Sequence, residues 1–91
     1  MDAKGSPEQL VLIKNESIAL LLDYRHVLDQ EIKRIIHNAE ARGEKLYQPE
    51  GDKYLAKMEI TNTTFYVEYS VASDGYMIHT AYFHRSKIIE G

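Results

Sequence analysis

Residues Lys53–Ile88 read KYLAKMEITNTTFYVEYSVASDGYMIHTAYFHRSKI, and their alternation decides the fold. Tyr54, Ala56, Met58 and Ile60 are apolar at every second position, with Lys57 and Glu59 between them. Phe65, Val67, Tyr69 and Val71 then alternate with Tyr66, Glu68 and Ser70, and Tyr76, Ile78, Thr80 and Tyr82 with Met77, His79, Ala81 and Phe83. A period of two marks strands buried on one face. Asn62–Thr63 is a tight-turn candidate, and Ala72-Ser73-Asp74-Gly75 carries an Asp-Gly turn signal. Three consecutive antiparallel strands follow.

Loops of those lengths set a register. Thr61 opposite Thr64 and Val71 opposite Tyr76 give one face of Ile60/Phe65/Tyr82, Met58/Val67/Thr80, Ala56/Tyr69/Ile78 and Tyr54/Val71/Tyr76. The other face then carries Glu59/Tyr66/Ala81, Lys57/Glu68/His79 and Leu55/Ser70/Met77. A one-residue slip would turn the charges of a strand toward the core, so the pattern supports this register.

Upstream, Asp29 is a candidate N-cap, followed by Glu31 in the first turn. Leu28, Ile32, Ile35, Ile36 and Ala39 form a helical stripe, and Gly43 suits the residue after the helix. One amphipathic helix is expected over 30–42. Residues 45–52 read as a connection with Pro49 and Gly51. The run Ile18–Leu22 fits a buried strand or the first turns of a helix. Arg25 and His26 would interrupt the stripe of one long helix, which favours an extended segment through Tyr24. The expectation is an α+β fold, with a helix on one face of a three- to four-stranded antiparallel meander. Residues 1–9 are expected to form a flexible tail and 10–91 a single domain.

Composition narrows the function. A net charge of −3 counts against nucleic-acid binding, which relies on basic surfaces. The chain has no cysteine, which removes disulfides, thiolate metal sites and cysteine nucleophiles. Its four histidines show no metal-ligand spacing, so no metal and no cofactor are expected. The polar start is unlike a signal peptide, and the apolar runs fall far short of the ~20 residues that span a bilayer. A cytoplasmic location without membrane contact is expected.

The row Lys57/Glu68/His79 is the sharpest chemical constellation. A carboxylate beside an imidazole can make it a general acid or base. With Tyr66 in the next row and Arg85 further along the strand, these are the parts of a metal-independent ribonuclease. The plainer reading is cross-strand charge pairing on a wetted face. Leu55, Tyr66, Met77, Ala81 and Phe83 make that face more apolar than a solvated sheet needs, which points to a partner surface or to cover by the N-terminal segment. Tyr66, Met77, Ala81 and Phe83 are the candidate partner-binding residues. No glycine-rich phosphate loop, nucleophile elbow or dinucleotide fingerprint is present.

Four strings in order, Asp23-Tyr24-Arg25-His26-Val27-Leu28-Asp29, Ala39-Glu40-Ala41-Arg42-Gly43-Glu44-Lys45-Leu46-Tyr47, Thr64-Phe65-Tyr66-Val67-Glu68-Tyr69 and Ala81-Tyr82-Phe83-His84-Arg85, carry a resemblance. Over about residues 23–86 the chain resembles a small domain found with flavin and iron–sulfur oxidoreductases of the NADPH-dependent glutamate synthase small-subunit type in anaerobic bacteria. It departs in having Phe65-Tyr66 where that family often has Tyr-Trp, and Phe83 where it often has Ser. The family's catalytic groups belong to neighbouring flavin domains. The resemblance therefore implies a non-enzymatic accessory module without bound cofactor, whose partner is a flavoprotein subunit or a second copy. A weaker similarity, to RelE/barnase/colicin-like ribonuclease toxins, rests on a helix followed by a meander and on His79-Thr80-Ala81-Tyr82. The acidic composition counts against it.

Overall fold

The computed structural model describes residues 9–85. The expected tail, but for Gln9, lies outside them, as do residues 86–88 of the stretch quoted above. The order of elements is β1 (Leu12–Ile13), α1 (Glu16–Tyr24), α2 (Asp29–Arg42), β2 (Lys45–Gln48), β3 (Lys53–Ile60), β4 (Thr63–Ala72) and β5 (Gly75–Arg85). The fold is α+β: a five-stranded sheet of order β1-β5-β4-β3-β2, with helices packed on it. β1 runs parallel to β5, and the other pairs are antiparallel.

Ile18–Leu22 lies in a helix, against the extended segment expected from the sequence. Asn15 is the deciding residue. Its side-chain oxygen accepts from the Ile18 N–H at 2.8 Å, and Glu16 follows in the first turn. The objection that Arg25 and His26 break one long helix is met by a turn. His26 takes a positive φ of 61°, and the chain restarts as α2. Leu22 points into the core while Leu20, at 64% exposure, points away from it.

α2 begins one residue early. Asp29 is its first residue rather than the cap, and its carboxylate pairs with Lys14 at 2.6 Å. The Glu31 carboxylate accepts from the Leu28 N–H at 3.0 Å, so the helix start is satisfied from inside. Gly43 closes the helix with φ 72°. Ile32, Ile35, Ile36 and Ala39 are buried as the stripe predicts, while Leu28 is exposed.

Residues 45–48 are a strand, not a connection, and pair with β3 from Lys45↔Ala56 to Gln48↔Lys53. The first meander turn is Thr61–Asn62, both at positive φ, so Ile60 opposes Thr63. That moves the expected β3–β4 register by two residues and leaves every side chain on its expected face. The second hairpin keeps Val71↔Tyr76, and its loop closes at Ala72↔Gly75. A Cβ on Gly75 would lie 2.6 Å from the Val11 carbonyl oxygen, so β1 can approach only a glycine there.

The larger correction is a β-bulge. Tyr69 opposes Ile78 but Glu68 opposes Thr80, which leaves His79 as the extra residue. Beyond it β5 changes phase. Ala81 and Phe83, expected on the open face, turn to the helix side, where Ala81 is buried and Phe83 packs against the core. Tyr82, expected in the core, turns outward. The slip is favourable because it lines Ile78, Ala81 and Phe83 along the core side and turns Thr80 and His84 to the open face. The core then joins Leu22, Val27, Ile32, Ile35, Ile36 and Ala39 of the helical layer to Ala56, Phe65, Val67, Tyr69, Ile78 and Ala81 of the sheet.

Candidate interaction face

The face of the sheet away from the helices is built by alternation on β2–β5. Its outermost row is Glu59/Thr64/His84, then Lys57/Tyr66/Tyr82, then Leu46/Leu55/Glu68/Thr80. Tyr66 and Tyr82 stack with ring centroids 4.9 Å apart and 15° between planes. His84 stands edge-on to both, each at 5.8 Å. Lys57 beside them is exposed and belongs to none of the ion pairs of the described residues.

The row Lys57/Glu68/His79 is not assembled. Lys57 stands opposite Tyr66, and Glu68 opposite Leu55 and Thr80. Glu68 is held by the Lys53 ammonium at 3.1 Å, and the His79 Nε2 lies 2.7 Å from the Ser70 hydroxyl. Ser70 also reaches the Asp52 carbonyl at 3.1 Å. If its single proton goes to that carbonyl, His79 must be the donor in their contact, a positioning arrangement that does not activate the serine. Arg85 is exposed at the strand end. Of the expected partner-binding residues, Tyr66 and Met77 (43% exposed) lie on the open face, and Ala81 and Phe83 do not.

Tyr82 and His84 are the residues that sequence reading left out of this cluster. Their signal was the pair His79-Thr80, two polar residues in succession between Ile78 and Ala81, which marks a phase slip. Arg25 confirms the slip from the other side. Its guanidinium donates to the Ala81 carbonyl at 2.9 Å and lies 3.4 Å from the Thr80 hydroxyl, satisfying the β5 edge beside the bulge.

A second polar cluster lies on the helix side of the sheet, centred under α2. Tyr47, Tyr54, Tyr69 and Tyr76 run across four strands with neighbouring centroids 5.3, 5.8 and 5.8 Å apart. The Tyr69 hydroxyl donates to Glu40 Oε2 at 2.5 Å, and Lys45 pairs with the same oxygen at 2.7 Å while lying 4.2 Å from the centroid of the Tyr54 ring. Burial and the Glu40 carboxylate both push the Tyr69 phenol well above its ordinary range. Burial alone would raise Glu40, but the hydrogen bonds from Lys45 and Tyr69 outweigh it and hold the carboxyl below its usual value. At the exposed end, Tyr47 donates to Asp52 at 2.8 Å, and that bond raises its pKa.

Among the described residues no three His, Asp or Glu side chains gather as a metal site, and no helix is long and apolar enough to cross a membrane. No protein family's sequence pattern matches the chain, and no curated protein or solved structure matches it.

Proposed function

We propose that this chain is a non-enzymatic interaction module of the cytoplasm that docks a protein partner through the open face of its sheet. The observation that carries the reading is the Tyr66–Tyr82 stack with His84 on a face that neither helix covers. Aromatic side chains are enriched in the buried centres of interfaces. Lys57, exposed beside the stack, asks for a carboxylate on the partner. The resemblance of residues 23–86 supplies the partner's class, a subunit of a flavin/iron–sulfur oxidoreductase. A ribonuclease would need an imidazole and a carboxylate converging on one phosphate. Here Glu68 is engaged by Lys53 and His79 by Ser70, which favours the docking reading.

The test is binding of the purified chain to purified flavin/iron–sulfur oxidoreductase subunits of the glutamate synthase small-subunit type. A buried aromatic anchor contributes ~2 kcal/mol or more, so Tyr66→Ala or Tyr82→Ala should weaken binding by about thirtyfold. RNA cleavage without added metal that disappears in His79→Ala and Glu68→Gln would overturn the proposal, as would binding indifferent to Tyr66 and Tyr82.

A further inference from the structure

The two edges of the sheet are treated differently. At one edge, β1 covers Tyr76 and Met77 of β5, and Arg25 takes up the Ala81 carbonyl further along. At the other, no strand among the described residues pairs with the outer side of β2. Leu46 is 62% exposed there and Tyr47 48%. Exposed sheet edges are ordinarily blunted by shortness, by charged side chains, by a proline within the strand or by a bulge. β2 is short, at four residues, but holds no proline, no bulge and no charge turned to solvent. Its Lys45 is drawn to Glu40 and over the Tyr54 ring, with its side chain only 22% exposed, and Pro49 falls just beyond the strand.

We propose that this edge pairs with the same edge of a second copy, in antiparallel register about a twofold axis at Leu46. The chemistry of the strand selects both the occupant and the register. Centred on Leu46, the pairing sets leucine against leucine on the open face. On the helix face it sets Tyr47 of each copy against Lys45 of the other, and at the ends Glu44 against Gln48. No like charges oppose one another, every contact off the axis is made twice, and Pro49 stays outside the ladder. A twofold axis at Tyr47 would instead oppose Leu46 to Gln48 and Lys45 to Pro49, which has no N–H to donate. A four-residue edge buries less than the ~1,200 Å² at which standard interfaces begin, so the dimer is a concentration-dependent equilibrium. The pairing goes beyond the docking reading and does not depend on it, because it uses the sheet edge and leaves Tyr66 and Tyr82 open.

The experiment is sedimentation equilibrium of the full chain over a wide concentration range, with single-cysteine variants of a protein that has no cysteine of its own. The mass should rise from one chain toward two with concentration. Leu46→Lys, which opposes two ammonium groups on the axis, should hold it at one chain while the urea melt stays unchanged. Opposed Cβ atoms in a strand pair lie ~4.5–5.5 Å apart, near disulfide reach, so mild oxidation should link Leu46→Cys at least about tenfold faster than Leu20→Cys on exposed α1. A single-chain mass at every concentration, a dimer that survives Leu46→Lys, or equal cross-linking of the two cysteine variants would overturn the proposal.

Discussion

Tyrosines occupy both faces of this sheet, under opposite conditions. On the helix side, Tyr69 is fully buried in the ladder Tyr47–Tyr54–Tyr69–Tyr76, and its hydroxyl is tied to Glu40. On the open side, Tyr66 and Tyr82 stack on each other with His84 edge-on to both and Lys57 beside them. The same side chain is thus core material in one place and available surface in the other. What separates them is cover: α2 lies over Tyr69 at the centre of the first set, reaching its hydroxyl through Glu40, and no described element lies over the second. Burial forces the Tyr69 hydroxyl to find a partner, which Glu40 supplies, whereas Tyr66 and Tyr82 are only partly buried. Stability should therefore reside in the ladder and recognition in the stack.

The largest expected effect tests the first half of that contrast. Tyr69→Ala removes a fully buried ring and one donor to Glu40, and should cost ~3–5 kcal/mol in urea denaturation, enough to unfold much of a chain this small. Tyr66→Ala should cost no more than ~0.5–1.5 kcal/mol, the range of an aromatic pair. Equal losses in the two variants would erase the distinction between the faces.

Tyr69→Phe keeps the ring and deletes only the hydroxyl. It should cost ~1–3 kcal/mol, because Glu40 loses a donor while remaining half-buried. A neutral result would mean that water replaces the hydroxyl and that the ladder is held by packing alone.

The pH dependence sharpens the same point. Because Glu40 is held below its ordinary pKa in the folded chain, its contribution is present above the unfolded-state value and is lost as pH falls through the folded one. The acid limb of the stability curve should be shallower in Glu40→Gln than in the parent. Parallel limbs would show that the Lys45–Glu40–Tyr69 network does not couple to folding.

Arg25→Met should cost ~1–2 kcal/mol, for a charged donor taken from the Ala81 carbonyl. Amide exchange should rise locally at β5 beside the bulge. Uniform exchange across the sheet would mean that the bulge stands without the guanidinium.

Much of this contrast was legible in the chain. The stripe Ile32, Ile35, Ile36, Ala39 and the alternation Phe65, Val67, Tyr69 each report one face of one element, and local periodicity suffices to read them. Strand 45–48 was not legible, because Lys45-Leu46-Tyr47-Gln48 is too short for a period and becomes a strand only by pairing with β3. The Ile18–Leu22 run fitted both readings and the extended one was favoured, whereas the Asn15 cap and the turn at His26 make it a helix. The open-face site was half legible: Tyr66 sits on a strand of regular phase, whereas Ala81 and Phe83 lie past a bulge that exchanges them with Tyr82 and His84.

The sequence by itself determined the α+β class, the identity of α2, the two meander hairpins and the side of β3 and β4 that meets the helices. These follow from periodicity and turn chemistry, which act over a few neighbouring residues. Only the tertiary structure decided the phase of β5 beyond His79, the parallel addition of β1 at Gly75 and the partners of Glu68 and His79. Each of these depends on contacts between segments far apart in the chain. A single inserted residue reverses the facing of everything after it, and only the balance of burial across the whole sheet determines where that insertion falls.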